Sequence, residues 1–286
     1  VMSSSSTLEE MHLAKLLMAG LGSTSLDSSP RQAEGLKIEG VPYLGASVSA
    51  LAEAAGIVVL GSDLRNDQPL LTNRLRQSAK HGMKLVLITS GLNDPYILKA
   101  KVLSRAPSLW ADALDSTEAL NALSVEGDRY VLIGQQVLMA PNAAQLIAKA
   151  QSVAAAKGAK LGFLGDGANW VGSFLTQTSG ASHEGMDAQT FLQSPRKAAI
   201  VMNLEPELDT LQGRTALDSL KGTEFVVAIS AFAGQATDYA DVILPLCPQT
   251  ETSGTFVNVA GVSQSFKATV RPLGESRPGW KILRVL

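Results

Sequence analysis

The chain has 286 residues, 45% hydrophobic, 5% aromatic and 17% charged, with a formal net charge of −2. This composition excludes a disordered chain, favours helix-rich α/β packing over a β-sandwich, and offers no basic footprint for nucleic acid. One cysteine, Cys247, excludes an internal disulfide, a cysteine-ligated cluster and a structural zinc site within these residues, and no run of about 18–20 apolar residues could span a bilayer.

Thr7-Leu8-Glu9-Glu10 is a capping box, and Met11, Ala14, Leu17, Met18 and Leu21 then share one helical face. The first residues lack the charged and apolar regions of a signal peptide. His12 reads as a surface residue of that helix, and Gly20 and Gly22 offer its left-handed stop. Residues 23–40 are Ser, Asp, Pro and Gly rich and read as loop. A helix is expected over 48–55 and a buried parallel strand over 57–60. Gly61-Ser62-Asp63 turns the chain, with Asp63 as cap. Pro69 starts a helix carrying Leu70, Leu71, Arg74, Leu75 and Arg76, Gly82 breaks it, and 85–88 is the second strand of a βαβ unit with a right-handed crossover. Open α/β sheets bind ligands at the carboxyl ends of strands, where Gly61, Ser62, Asp63 and Arg65 lie. No dinucleotide or Walker pattern accompanies them, so a plain turn is the favoured reading over a phosphate contact.

Residues 91–128 are weakly patterned, with a turn at Asn93-Asp94-Pro95 and a short helix at 117–124. A third strand covers 130–133. Pro141-Asn142 opens a long helix through Leu146, Ile147, Ala150, Val153 and Ala154, and a fourth strand covers 161–164. The glycine-rich run 165–172 lacks Rossmann spacing and reads as a turn. Residues 176–190, with His183 and Glu184, read as a solvated loop; a lone His-Glu pair lacks a third ligand, and His81 is likewise isolated. A fifth strand covers 198–202, Glu205, Glu207 and Asp209 suit a solvated helix start, and a sixth strand covers 225–229. Val242 to Leu244 reads as a further buried strand stopped by Pro245, and 250–264 as a polar loop lining a cleft. Val1 before Met2, and an amphipathic helix over 280–286 that stops without a cap, suggest a segment of a longer polypeptide.

Ala240-Asp241-Val242-Ile243-Leu244-Pro245, followed by Glu251, Gly254, Thr255, Asn258, Gly261 and Gln264, resembles the carboxyl-terminal part of the molybdopterin oxidoreductase core. That family has Glu where Ala260 stands, and its Arg falls where Val262 and Ser263 lie. Leu60-Gly61-Ser62-Asp63-Leu64-Arg65, Pro69-Leu70-Leu71, Arg74-Leu75-Arg76, the run Gly167-Ala168-Asn169 with Val171-Gly172, and the ending Gly274-Glu275-Ser276-Arg277-Pro278-Gly279-Trp280-Lys281-Ile282-Leu283-Arg284 resemble one branch of it. That branch is the large electron-input subunit of NADH:quinone oxidoreductase (complex I).

The resemblance implies an α/β fold of two interleaved doubly wound, Rossmann-like lobes with mainly parallel sheets. The inserted lobe is expected at 36–127, the other at 1–35 and 128–250, and a cleft-lining segment with a truncated tail at 251–286. It implies a structural, partner-facing portion that supports electron transfer from NADH to quinone and is not catalytic alone. Iron–sulfur clusters belong to a preceding amino-terminal region of that branch, so no cofactor or metal is expected in this stretch. Glu251, Gly254, Thr255, Asn258, Gly261 and Gln264 are then vestiges of a pterin site. The implied partners are other subunits of the complex I peripheral arm, without nucleic acid or direct membrane insertion, at a cytoplasmic position peripheral to the inner membrane. Two rival readings are an active molybdenum oxidoreductase, disfavoured by Ala260 and Val262, and the central domain of a thiamine diphosphate enzyme, which would leave the 251–264 segment unexplained. A non-enzymatic nucleotide-binding module is weaker still.

Overall fold

The computed structural model describes residues 1–91 and 96–286, so the turn expected at Asn93-Asp94-Pro95 lies outside the described residues. The chain divides into two compact units, one formed by Val1–Val41 with Gly167–Leu286, the other by Pro42–Asp166. Helix α1 (Leu8–Gly20) begins at the expected capping box: Glu10 N–H donates to Thr7 Oγ1 at 3.3 Å, and Thr7 N–H donates to Glu10 Oε2 at 2.9 Å. Met11 and Ala14 are buried, but Leu21 is 65% exposed because the helix ends one residue before it.

The inserted unit carries α2 (Val48–Ala52), β1 (Gly56–Leu60), α3 (Leu64–Asp67), α4 (Pro69–Lys80), β2 (Lys84–Thr89), β3 (Lys101–Ser104), α5 (Trp110–Leu114), α6 (Thr117–Ala122), β4 (Arg129–Ile133), α7 (Gln135–Leu138), α8 (Ala143–Ala156) and β5 (Lys160–Phe163). Its strands form one parallel sheet in the order β3-β2-β1-β4-β5. β1 is buried along its whole length, which is why it reads as an unbroken apolar run. The order reverses beside β1, the doubly wound arrangement. The expected boundary at 127 moves to 166, because β4 pairs with β1 in the register Gly56↔Arg129 to Leu60↔Ile133, and β5 pairs with β4. β4 is buried over Tyr130–Ile133 and β5 over its last two residues, and their composition does not reveal which sheet they join. β3 is not foreseen because Leu103 alone of its residues is buried.

The other unit continues with α9 (Trp170–Leu175), α10 (Ala188–Phe191), β6 (Ala199–Met202), α11 (Pro206–Asp209), α12 (Gly213–Lys221), β7 (Val226–Ser230), β8 (Val242–Pro245), β9 (Gly254–Val257), β10 (Ser263–Phe266) and α13 (Gly279–Val285). β6, β7 and β8 form a parallel sheet in that order. Period-two alternation divides its core. Val201, Val226 and Ala228 pack with Leu217 and Leu220 of α12, while Met202 and Ile229 pack with Met11 of α1 and Leu283 of α13. Three expectations are corrected here. β8 is exposed to half-buried, because it is the sheet edge, and it runs through Pro245, a position an edge strand tolerates. Phe225 lies outside β7 and is 47% exposed. The segment expected as loop over 250–264 contains the antiparallel hairpin β9–β10.

Glu10 joins the first and last helices. Its side chain is buried, and besides capping α1 it lies against Gly279 at the start of α13. A Cβ at Gly279 would collide with Glu10 Oε1, so only glycine admits this approach. Burial pushes the Glu10 carboxyl above its ordinary value against the pull of its Thr7 N–H donor, and burial pushes Asp27 the same way. A raised carboxylate means that the folded state holds a proton the unfolded state has released. That contribution is fully present below the unfolded value and is lost as pH rises through the folded one. The buried Val1 amine, lowered by burial to about 6, pulls the other way, so the Glu10 contribution is read against a variant: the melting temperature of the wild type relative to Glu10→Gln should rise as pH falls. A difference that does not change with pH would remove Glu10 as a source.

Candidate functional site

The hairpin β9–β10 brings the motif positions together. Val257 pairs with Ser263, Phe256 with Gln264, Thr255 with Ser265 and Gly254 with Phe266. Asn258 builds the turn: its Oδ1 accepts from Ala260 N (3.0 Å) and Val262 N (3.1 Å), and its Nδ2 donates to Gln264 Oε1 at 3.2 Å. Gly261, at φ 80°, supplies the left-handed residue the turn requires. Thr255 is held by α1, its N–H and hydroxyl meeting the two oxygens of Glu9 at 2.9 and 2.8 Å. Glu251 Oε2 accepts from Leu273 N at 3.0 Å and so anchors the following segment. Gly254 lies against Thr7, where a Cβ would collide with the Thr7 methyl.

Beneath the hairpin sits a residue that the sequence marks only through the run 167–172. Asn169 is fully buried. Its Oδ1 accepts from Val257 N at 2.8 Å, and its Nδ2 donates to Ser6 O at 2.8 Å. Gly172, one helical turn on, leaves room for that carboxamide, and Gly167, at φ 84°, passes against Ser4 where a Cβ would clash. The glycines of this run thus serve close packing at the start of α1. Glu9 and Asn169 escape sequence reasoning because their partners lie 246 and 88 residues away.

The remaining sequence candidates do not join this cluster. In the inserted unit, the turn after β1 is closed by Asp67, whose Oδ2 accepts from Ser62 Oγ at 2.9 Å and from Asp63 N at 2.8 Å. Asp67, and not Asp63, organises the helix start, and its carboxylate takes the donors that a phosphate would use. Gly61 and Gly134 bring the ends of β1 and β4 into backbone contact, with Gln136 N donating to Gly61 O at 2.9 Å. In the other unit His183 is partly buried and bonded, a correction to the solvated loop expected: Nδ1 accepts from Gly185 N at 2.8 Å and Nε2 donates to Leu26 O at 2.6 Å. Both ring nitrogens are thereby occupied. Glu205 and Asp209 stay local, Asp209 Oδ2 accepting from Glu205 N at 2.8 Å. Tyr239 is pushed up to about 12 by burial and by the nearby Glu207 and Glu205 carboxylates. No group of three His, Cys, Asp or Glu side chains suited to a metal occurs among the described residues. Cavities of about 250 and 260 Å³ flank α1, sharing Met18, Ser23 and Leu26; Leu283 lines the first, His183 and Glu184 line the second, and none of Glu251, Gly254, Thr255, Asn258, Gly261 and Gln264 lines either. No helix among the described residues is long and apolar enough to cross a membrane.

Comparison with known proteins gives three findings. The family described as molybdopterin oxidoreductase matches residues 1–286. A "Putative formate dehydrogenase" of Staphylococcus haemolyticus is 35% identical over 68 residues, 24% of this chain and 7% of that protein. One of Staphylococcus aureus strain MRSA252 is 38% identical over 63 residues, 22% of this chain and 6% of that protein. The matched stretch is therefore a small part of the length of these relatives. Among solved structures, acetylene hydratase from Pelobacter acetylenicus aligns with a TM-score of 0.61 at 14% identity, over 96% of this chain and 50% of that one. A chain of the formyltransferase/hydrolase complex from Methylorubrum extorquens aligns with a TM-score of 0.58 at 14% identity, over 99% of this chain and 88% of that one. At such identity these two share the fold.

Removing the Asn169 carboxamide leaves a buried N–H and a buried carbonyl without partners. Asn169→Ala should lower the unfolding free energy by about 2–4 kcal/mol in urea titration. A loss below about 0.5 kcal/mol would show that the bridge is dispensable.

Proposed function

The chain belongs to the molybdopterin oxidoreductase family, and from that premise we propose that it is a structural, partner-facing core that holds no pterin, as in the large electron-input subunit of NADH:quinone oxidoreductase. The observation that carries the reading is that each motif side chain is engaged by a bond within the protein. Asn258 is used by its own turn, Thr255 by Glu9, Glu251 by Leu273, and Gln264 by Asn258.

The residues present do not fit a pterin dinucleotide. Its phosphates need charge-assisted donors, and from Glu251 to Phe266 the chain has neither Lys nor Arg. Each charged bond contributes roughly 1.5–3 kcal/mol, and a buried phosphate without one costs more. In the inserted unit the Asp67 carboxylate occupies the donors of the turn after β1 and would repel a phosphate there. In this reading, electrons from NADH travel through clusters carried elsewhere in the parent protein. This core supports that region and presents surface to neighbouring subunits of a peripheral arm.

A second reading, a formate dehydrogenase-like oxidoreductase core, is favoured by the 35–38% identity to the staphylococcal relatives over 63–68 residues.

Calorimetric titration of the chain with a molybdopterin dinucleotide, together with iron, molybdenum and zinc analysis, separates the two. The proposal expects no saturable binding and no stoichiometric metal. Micromolar or tighter binding would overturn it and put the dehydrogenase-like reading first.

A further inference from the structure

The inserted unit has a charge asymmetry that neither its fold nor the pterin question explains. Between Asp67 and Asp112 the chain carries Arg74, Arg76, Lys80, Lys84, Lys99, Lys101 and Arg105 against Asp94 alone, although the whole chain has a net charge of −2. Three lysines of the unit have carboxylate partners: Lys101 with Glu118 at 3.9 Å, Lys149 with Asp115 at 2.6 Å and Lys160 with Asp128 at 3.2 Å. Arg74, Arg76, Lys80 and Lys84 are exposed and make no side-chain bond or ion pair among the described residues.

Helix α4 buries Leu71, Thr72, Leu75 and Ala79. Its helical period turns Leu70, Asn73, Gln77 and Lys80 to the opposite face, with Arg74 on one flank and Arg76 on the other. Arg76 and Lys80 stand one turn apart, a like-charge pair that costs an isolated helix stability. Lys84 follows at the start of β2. Leu70 is 85% exposed at the head of this face. An apolar anchor flanked by arginines is the composition of a protein interface.

We propose that the outer face of α4, with Leu70, Arg74, Arg76, Lys80 and Lys84, docks an acidic protein segment whose carboxylates are spaced one helical turn apart. The cations would pair with those carboxylates, and Leu70 would enter an apolar socket between them. A polyanion or an anionic membrane is steered by long-range potential, which the acidic remainder of the chain cancels, whereas a partner within the Debye length of about 8–10 Å meets the local excess. The uncharged face positions, Leu70, Asn73 and Gln77, offer no aromatic ring on which bases could stack. The proposal gives a chemistry to the partner-facing role above. It rests on α4 and the first residue of β2, not on the hairpin, so its failure leaves the pterin titration unaffected, and the reverse holds.

Fluorescence anisotropy on the full chain tests it. The probe is a synthetic helical peptide with Glu at i and i+4 and Leu on the same face. Phosphatidylglycerol vesicles and a single-stranded oligonucleotide are the competitors. The peptide is expected to bind and to weaken as salt rises. Arg76→Glu with Lys80→Glu should reduce affinity at least about tenfold at an unchanged melting temperature, and a Lys-for-Glu peptide should restore binding to that variant. Leu70→Ser should weaken binding without altering its salt dependence. Absence of peptide binding, equal binding by the charge-reversed variant, or tighter binding of vesicles or oligonucleotide would overturn the proposal.

Discussion

One buried carboxamide organises the unit that carries the motif residues. Asn169 reaches Ser6 O with its amide nitrogen and Val257 N with its oxygen, and so ties the start of α1 to β9. A carboxamide suits this place because it offers donor and acceptor together, satisfying two backbone groups that burial would otherwise leave unpaired. Its bulk dictates the surroundings. Gly172 makes room beside it, and Gly254 lets β9 approach Thr7. Glu9 and Glu10 then work at the same helix start, Glu9 holding Thr255 and Glu10 lying against Gly279 of α13.

What the sequence discloses is local. The capping box at Thr7, the Pro69 helix start and the apolar runs of β1, β2 and β4 are visible because their causes lie within a few residues. Pairing is not local. Nothing in Arg129–Ile133 announces that it joins β1, so the inserted unit is longer than the expected 36–127. The hairpin β9–β10 reads as loop because Thr, Ser, Asn, Gln and Gly interrupt its apolar residues, although Asn258 and Gly261 are the residues its turn requires. The same limit applies to the site. The motif positions are legible, but Glu9 as partner of Thr255 and Leu273 as partner of Glu251 are matters of tertiary structure.

A pattern of residues can outlast a ligand when the residues also hold the scaffold. Turns and close approaches need Asn, Gly and Thr whether or not a cofactor is bound. Charged donors have no such second use, and they are what this stretch lacks. The inserted unit shows the same logic in another form. Its strand-end turn has the Asp67 carboxylate on the Ser62 and Asp63 donors, while Arg74, Arg76 and Lys80 are exposed on α4 and Lys84 at the start of β2.

The central claim is that the motif side chains are scaffold. Residues kept for a ligand are commonly neutral or destabilising to the free protein, whereas scaffold residues stabilise it. The direct measurement is the unfolding free energy of Asn258→Ala, Thr255→Val and Glu251→Ala in urea, without any added ligand. The account predicts a loss of about 0.5–2 kcal/mol for each. Unchanged or increased stability across all three would contradict it, because it would mean that these side chains are held for something the protein binds.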